Sequence, residues 1–189
     1  ETIVEKIQAA SSKIENVIKR VLDFSRPSAP NVSLLNLNKV VKNVMELSAV
    51  TIRKGGVTLE ASLAQDLPPV QADAQLLEQV VLNLVTNAVQ ALSDVKGDKK
   101  IALTTSMVRD RIIIKVADNG PGVPPQIRER IFDPFFTGRR DGFGIGLTLC
   151  HRIVSDHGGK LSVKQSQWGG AEFHMEIPAS VYWGYDSHG

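Results

Sequence analysis

The chain has 189 residues, a formal net charge of +2 and 42% hydrophobic residues; this composition suits a soluble globular core, and so small a charge excludes nucleic-acid binding driven by electrostatics alone. One cysteine, Cys150, excludes an internal disulfide and a cysteine zinc cluster, and its apolar helical setting reads as core rather than nucleophile. No apolar run reaches the roughly 18 residues that cross a bilayer, and no signal-peptide pattern is visible.

The start at Glu1, without methionine, is expected of a fragment or a processed product. Residues 1–26 read as a long helix. Ile3, Ile7, Ala10, Ile14, Val17, Val21 and Phe24 alternate four- and three-residue steps, as in a coiled coil. Val4, Ser11, Ile18 and Leu22 widen the stripe to a bundle-facing surface. Such a helix is about 36–39 Å long. It pairs with another helix, or folds back on its own domain. Pro27 and Pro30 end it, and residues 27–31 form a stiff linker at a domain boundary. The domain that follows is expected over residues 32–178, with a tail over 179–189.

Residues 32–37 predict a strand. Asn38 is the expected N-cap of a helix to about Lys54, with Val41, Val44, Met45 and Ser48 facing inward and Gly55-Gly56 ending it. Residues 57–63 alternate as a strand does. Pro68-Pro69 is a turn, and residues 70–72 form a short extended piece.

A central helix is predicted over residues 73–92. Leu77, Val81, Leu84, Ala88 and Ala91 form its apolar face, and Leu76, Val80, Leu82, Val85 and Val89 make it apolar almost all round. One line interrupts this: Gln79, Asn83, Asn87 and Gln90, with Thr86 beside it. All four are neutral amides where a solvated face would carry Lys and Glu, and Asn is a poor helix former. Such amides either cap neighbouring loops or face a polar ligand. An Asn carbonyl oxygen is a suitable donor for Mg²⁺, a hard cation, and adds no charge beside phosphates.

Lys96-Gly97-Asp98 is a turn, and residues 100–108 and 111–118 form a hairpin over Arg109-Asp110. Ile112, Ile113, Ile114 and Val116 make the second strand nearly continuously apolar, hence central. It runs into Asp118-Asn119-Gly120-Pro121-Gly122-Val123-Pro124. This is either an ordinary turn or a site-lining loop, in which Asp118 accepts from an exocyclic amine and Gly120 and Gly122 let a flat ring approach bare backbone. Phe135 and Phe136 are core, or they anchor a lid. Arg139 and Arg140 are a solvated loop tip or phosphate clamps. Gly142, Gly144 and Gly146 open a helix over residues 146–157, a geometry that leaves N–H groups for an anion, and Gly158-Gly159 ends it. Residues 161–165 and 172–177 form a closing hairpin. The order predicts an α/β (α+β) two-layer sandwich, a mixed sheet covered on one side by helices and preceded by a long coiled-coil-like helix.

Four stretches in this order resemble the catalytic and ATP-binding domain of sensor histidine kinases, within the gyrase, heat-shock chaperone, histidine kinase and mismatch-repair ATPase superfamily. Asn83-Leu84-Val85-Thr86-Asn87-Ala88 resembles the asparagine box, residues 118–122 the first glycine box, Asp133-Pro134-Phe135-Phe136 the phenylalanine box and residues 142–147 the second glycine box. Leu22-Asp23-Phe24-Ser25-Arg26-Pro27 resembles the end of the second helix of the dimerisation and phosphotransfer hairpin. The resemblance implies a Bergerat-type fold, ATP as substrate and Mg²⁺ as cofactor. Asn87 would bind Mg²⁺, with Asn83 near the metal and phosphates. Asp118 would read the adenine amine, and Gly120, Gly122 and Val123 would border the base. Residues 137–144, including Thr137, Arg139, Arg140 and Gly142, would form the lid. The backbone at Gly144, Gly146 and Leu147 would meet the phosphates. It also implies a response-regulator receiver domain as partner, a homodimer through the first helix once the hairpin is complete, and a cytoplasmic location, on the inner side of the membrane if the sensor is membrane-bound. No nucleic acid and no membrane contact from this chain is implied.

The chain departs from the family pattern at Gln90, where Lys or Arg is common and would contact phosphate, at Gly138-Arg139, where Thr-Lys is usual, at Phe143, where a small hydroxyl residue is common, and at Glu172, where a Thr near the adenine is frequent. Hydrolases and serine-directed kinases of the superfamily carry a Glu four residues before the metal Asn, as general base. That position is Asn83. An amide accepts no proton usefully, whereas a neutral imidazole, with a pKa of about 6.5, needs no base. The expected reaction is therefore γ-phosphoryl transfer from ATP to a histidine, for onward transfer to an aspartate. His151, His157, His174 and His188 are not on the leading helix. The acceptor is expected on a helix preceding Glu1, so this chain alone is not expected to autophosphorylate. His157 reads as structural. The alternatives are a nucleotide-binding dimerisation or scaffold module, and an ATP hydrolase.

Overall fold

A computed structural model describes Val4, Gln8 and residues 30–136 and 144–179. Val4 and Gln8 have helical backbone. The rest of the helix expected over residues 1–26, linker residues 27–29, lid residues 137–143 and the tail from residue 180 lie outside the described residues.

The described chain runs β1 (Ser33–Leu35), α1 (Leu37–Lys54), β2 (Val57–Leu63), β3 (Val70–Ala72), α2 (Ala74–Ala91), β4 (Lys99–Val108), β5 (Arg111–Asp118), α3 (Gly146–Asp156), β6 (Lys160–Gln165) and β7 (Ala171–Pro178), with short 3-10 turns at Pro125–Ile127 and Arg130–Phe132. β1 and β3 pair antiparallel as a small ribbon. The others form a five-stranded sheet in the order β2-β4-β5-β7-β6, in which β2 and β4 are parallel and the remaining neighbours antiparallel. β5 is the middle strand, as its nearly continuous apolar run, interrupted by Lys115, suggested.

The helices lie side by side on one face. α2 sits between α1 and α3, and each helix packs on a different strand: α1 on β2, α2 on β5, α3 on β6. The core fills the space between the layers. Leu77, Val80, Val81, Leu84 and Val85 of α2 meet Ile112, Ile114 and Val116 of β5, all almost without solvent exposure. Burying each such aliphatic side chain contributes about 1.5–3 kcal/mol. The period-2 alternation sends the other β5 residues to the opposite sheet face. There Lys115 pairs with Glu172, which also bonds His174.

Local capping refines two boundaries. α1 begins two residues earlier than Asn38 suggested. The N-cap is Asn36, whose side-chain oxygen accepts from the Asn38 N–H at 2.8 Å. Asn38 is spent on tertiary bonds: its Nδ2 donates to the Ala64 carbonyl and its Oδ1 accepts from the Thr105 hydroxyl. Asp73 caps α2 by accepting from the Leu76 N–H, and its second oxygen accepts from Asn31 N–H. The Asp73 N–H in turn donates to His157 Nε2, while His157 Nδ1 bonds the Ile153 carbonyl at 2.7 Å. Buried His157 thus ties the end of α3 to the start of α2, the structural use expected of it.

Candidate functional site

The site is organised along α2. At its C-terminal end the loop after β5 crosses the helix: a methyl group on Gly120 would touch Ala91 Cβ and its carbonyl oxygen, each at 3.4 Å. Two turns earlier, a methyl on Gly146 would lie 2.9 Å from Asn83 Nδ2, so the first turn of α3 abuts the carboxamide line. From residue 91 to residue 83 the helix rises about 12 Å. One helix therefore holds the Asp118 loop at its C-terminal end and the glycine-rich helix start at its middle, the two ends of the site.

At the first end, Asp118 is 2% exposed. Its Oδ1 accepts from the Gly120 N–H at 2.8 Å and from the Ala171 N–H at 3.2 Å. Its main-chain carbonyl accepts from the Ser166 hydroxyl at 2.7 Å. Gly170 is pressed against this residue, and a side chain there would run into the Asp118 carbonyl and lie 2.5 Å from Oδ1. Gly122 has φ +74, and a Cβ there would sit 3.1 Å from the Gly169 carbonyl oxygen. The turn between β6 and β7 is thus the second wall of the loop, a contact that sequence spacing does not reveal. Asn119 is engaged by protein: its Oδ1 accepts from Lys100 N–H and its Nδ2 donates to the Asp98 carbonyl. The Val123 carbonyl accepts from Arg128 Nε at 3.0 Å, and the Val123 side chain packs on the core. Glu172, expected near the base, is directed to the other sheet face with Lys115 and His174. Strand alternation explains this, since Glu172 pairs with Ala117 and not with Asp118. The β7 residue beside Asp118 is Ala171.

At the second end, Asn83 and Asn87 are half-buried, and Gln90 is exposed. The carboxamide line is a rim, not a sealed seam. Asn87 Nδ2 donates to Asn83 Oδ1 at 2.9 Å. This contact directs the Asn87 carboxamide oxygen away from Asn83. α3 starts at Gly146 after Ile145, whose side chain makes no cap hydrogen bond to the first turn. Its first N–H groups have no intrahelical acceptor, the arrangement that suits an anion. Leu147 is half-buried and packs on the core.

The flanks of the expected lid are joined. The Phe135 N–H donates to the Gly144 carbonyl at 3.2 Å. A methyl on Gly144, at φ +65, would come within 2.5 Å of the Phe135 carbonyl carbon. The paired phenylalanines differ in burial. Phe136 packs on the core beneath the Arg130 guanidinium, which lies 4.9 Å from the ring centroid. Phe135 is 76% exposed at φ +64. Thr137, Arg139, Arg140 and Gly142 lie outside the described residues.

Magnesium is implied by the family resemblance, and the donor chemistry fits it. A neutral amide oxygen suits a cation that keeps several waters and binds mostly to phosphates. Among the described residues no group of 3 or more His, Cys, Asp or Glu could hold a metal by itself.

A fold of this topology, with these motifs along one helix, is that of an ATPase-type nucleotide-binding domain. The chain belongs to the family "Histidine kinase-, DNA gyrase B-, and HSP90-like ATPase", which matches residues 72–181. Its curated relatives are sensor kinases. It is 34% identical to the C4-dicarboxylate transport sensor protein DctS of Rhodobacter capsulatus, over 92% of this chain and 27% of that protein. It is 37% identical to the signal transduction histidine-protein kinase AtoS of Escherichia coli, over 87% of this chain and 27% of that protein. The chain thus spans about a quarter of the length of these relatives. Among solved structures, full-length ShkA in complex with AMPPNP matches with TM-score 0.80 and 28% identity, over 93% of this chain and 38% of that one. Histidine kinase ThkA in complex with the response regulator protein TrrA matches with TM-score 0.79 and 30% identity, over 94% and 50%. Fold and sequence are those of the catalytic ATPase domain of two-component sensor kinases. No helix among the described residues is long and apolar enough to cross a membrane.

Proposed function

We propose that the chain is the ATP-binding catalytic part of a protein-histidine kinase, which transfers the γ-phosphoryl group of ATP to a histidine outside this domain. The observation that carries this reading is α2 itself. It joins the buried Asp118 loop, suited to an amine-bearing base, to the carboxamide line and uncapped α3 start, suited to a metal-bound phosphate chain. The ShkA complex with AMPPNP supports the nucleotide.

In this reading Asp118 accepts from the adenine amine, and the Gly120–Gly122 backbone borders the ring. Asn87 holds Mg²⁺ through its amide oxygen, oriented by Asn83. When bound, the ion offsets phosphate charge. The α3 N-terminus, with Gly144, Gly146 and Leu147, meets the phosphates, and the lid carrying Thr137, Arg139, Arg140 and Gly142 closes over them. Gln90, exposed on α2, reaches the phosphate side only as a neutral donor. Catalysis rests on positioning and electrostatics, since phosphoryl transfer asks little covalent chemistry of the protein. The Asn83 oxygen is engaged with Asn87, and an amide is no base, which argues against water as the acceptor.

The acceptor histidine belongs to a helix of the dimerisation hairpin, and the phosphoryl group passes on to a receiver-domain aspartate. The ThkA complex with its response regulator supports that partner class. His157 and His174 are buried here, and exposed His151 lies tilted beside the Phe132 ring. The test is Mg²⁺-dependent binding of a non-hydrolysable ATP analogue by calorimetry. Asp118→Ala and Asn87→Ala are each expected to weaken binding at least about tenfold, the worth of a charge-assisted contact. Unchanged affinity in both would overturn the reading. Labelled ATP is expected to leave no phosphohistidine on this chain alone, and to label the hairpin's histidine when the complete hairpin is supplied.

A further inference from the structure

We propose that Ser166 is a positioning residue for base recognition, fixing Asp118 in the orientation that distinguishes adenine from a purine without an exocyclic amine. The proposal rests on the reading of Asp118 as the base-contacting carboxylate.

The β5–β7 ladder ends at the Ala117–Glu172 pair, one residue before Asp118. Just past that pair, Ser166 reaches the Asp118 carbonyl. Its hydroxyl, on a residue 5% exposed, donates 2.7 Å to that carbonyl across 48 residues of chain. The same oxygen accepts from the Trp168 N–H at 3.2 Å. Both capacities of the hydroxyl are thus used, as burial demands. The turn that carries Ser166 is itself closed, with Ser166 N–H donating to the Gly170 carbonyl and Gly169 N–H to the Ser166 carbonyl.

A serine that only shaped its turn would satisfy the Trp168 N–H and stop there. This one also reaches β5. It anchors the Asp118 backbone while the Ala171 N–H, from the same hairpin, anchors Oδ1. Gly170 lies between the two contacts with no room for a Cβ. The carboxylate is thus held at backbone and side chain by one rigid hairpin. Without the hydroxyl, the Asp118 carbonyl loses its Ser166 bond; its peptide keeps the Asn119 N–H to Lys100 carbonyl tie, and the carboxylate is held less firmly in its orientation. Contacts to sugar and phosphate, made elsewhere along α2, are untouched.

The experiment compares two ligands by calorimetry on the full chain: a non-hydrolysable ATP analogue and the triphosphate of purine riboside, which lacks the 6-amine. Asp118→Ala is expected to abolish the preference for the amine-bearing base. Ser166→Ala is expected to lower that preference by about tenfold, the effect of one hydrogen bond, with affinity for the purine nucleotide unchanged. If Asp118→Ala removes the preference and Ser166→Ala keeps it, this proposal is wrong and the reading of Asp118 stands. If Asp118→Ala keeps the preference, the reading fails and takes this proposal with it. If Ser166→Ala weakens both nucleotides equally, the hydroxyl is merely structural and the proposal is overturned. Should Ser166→Ala lose its cooperative melting transition, Ser166→Cys, of similar volume and weaker donor strength, carries the comparison. A reduced preference then supports the proposal, and the parent value overturns it.

Discussion

Asn83 and Asn87 illustrate how one residue sets the chemistry of another. Four apart on α2, they stand on the same helix face, and the Nδ2 of the second is held by the Oδ1 of the first. That bond decides which end of the Asn87 amide is offered as a donor. Asn83→Ala leaves the Asn87 amide able to turn over. The expected outcome is a three- to tenfold weaker affinity for the ATP analogue in Mg²⁺, about 1 kcal/mol. Affinity measured in excess chelator should barely change. Equal losses in both conditions would show that Asn83 contacts the nucleotide and not Asn87. Gly170→Ala tests packing at the same scale. Its methyl has no space between the Asp118 carbonyl and Oδ1, so a loss of about 1–3 kcal/mol is expected by chemical denaturation.

At the level of elements, the base of the lid and the α2–α3 tie are the informative joints. Gly144 sits at φ +65 with the Phe135 and Phe136 backbone against it. Gly144→Ala meets both a left-handed backbone and a collision, so it should cost about 1–3 kcal/mol in stability. Because Gly144 and Gly146 flank the expected phosphate site, triphosphate affinity should fall more than adenosine affinity. Equal falls would place the effect in the fold alone. His157→Leu makes the opposite prediction. It strands the buried Asp73 N–H, while the Ile153 carbonyl keeps the His157 backbone N–H, costing about 1–3 kcal/mol. Per mole of folded protein, nucleotide affinity should be unchanged, because the tie lies at the N-terminal end of α2, away from Asn83 and Ala91.

At the level of the whole molecule, a single sandwich of α2 on β5 supports every part of the site. Leu84 has no exposure and lies next to Asn83 in sequence. Leu84→Ala should lose about 2–5 kcal/mol by cavity formation, a large share of a typical 5–15 kcal/mol. A melting temperature that hardly moves would mean that the core collapses around the void. Conversely, MgATP analogue at a hundred times its Kd should stabilise the domain by about 2.7 kcal/mol, seen as a concentration-dependent rise in Tm.

Much of this was legible in the linear chain, for a physical reason. Helix and strand periods follow from burying one face, so α2, β2 and β5 fall within a residue of where their patterns place them. Glycine and Asn types along α2 and before α3 likewise pointed to the stretches that the proposed site uses. What the chain could not declare was pairing at a distance. Asn36 rather than Asn38 caps α1 because Asn38 is claimed by Ala64, just after β2, and by Thr105 of β4. Glu172 faces away from the Asp118 loop because β7 pairs in one register and not the next. Ser166, in a turn with no motif, became the partner of Asp118 only when β6 and β7 folded beside β5. Local pattern follows from each residue's own preference for water or core; the choice of hydrogen-bond partner depends on which strands become neighbours, and only the assembled sheet decides that.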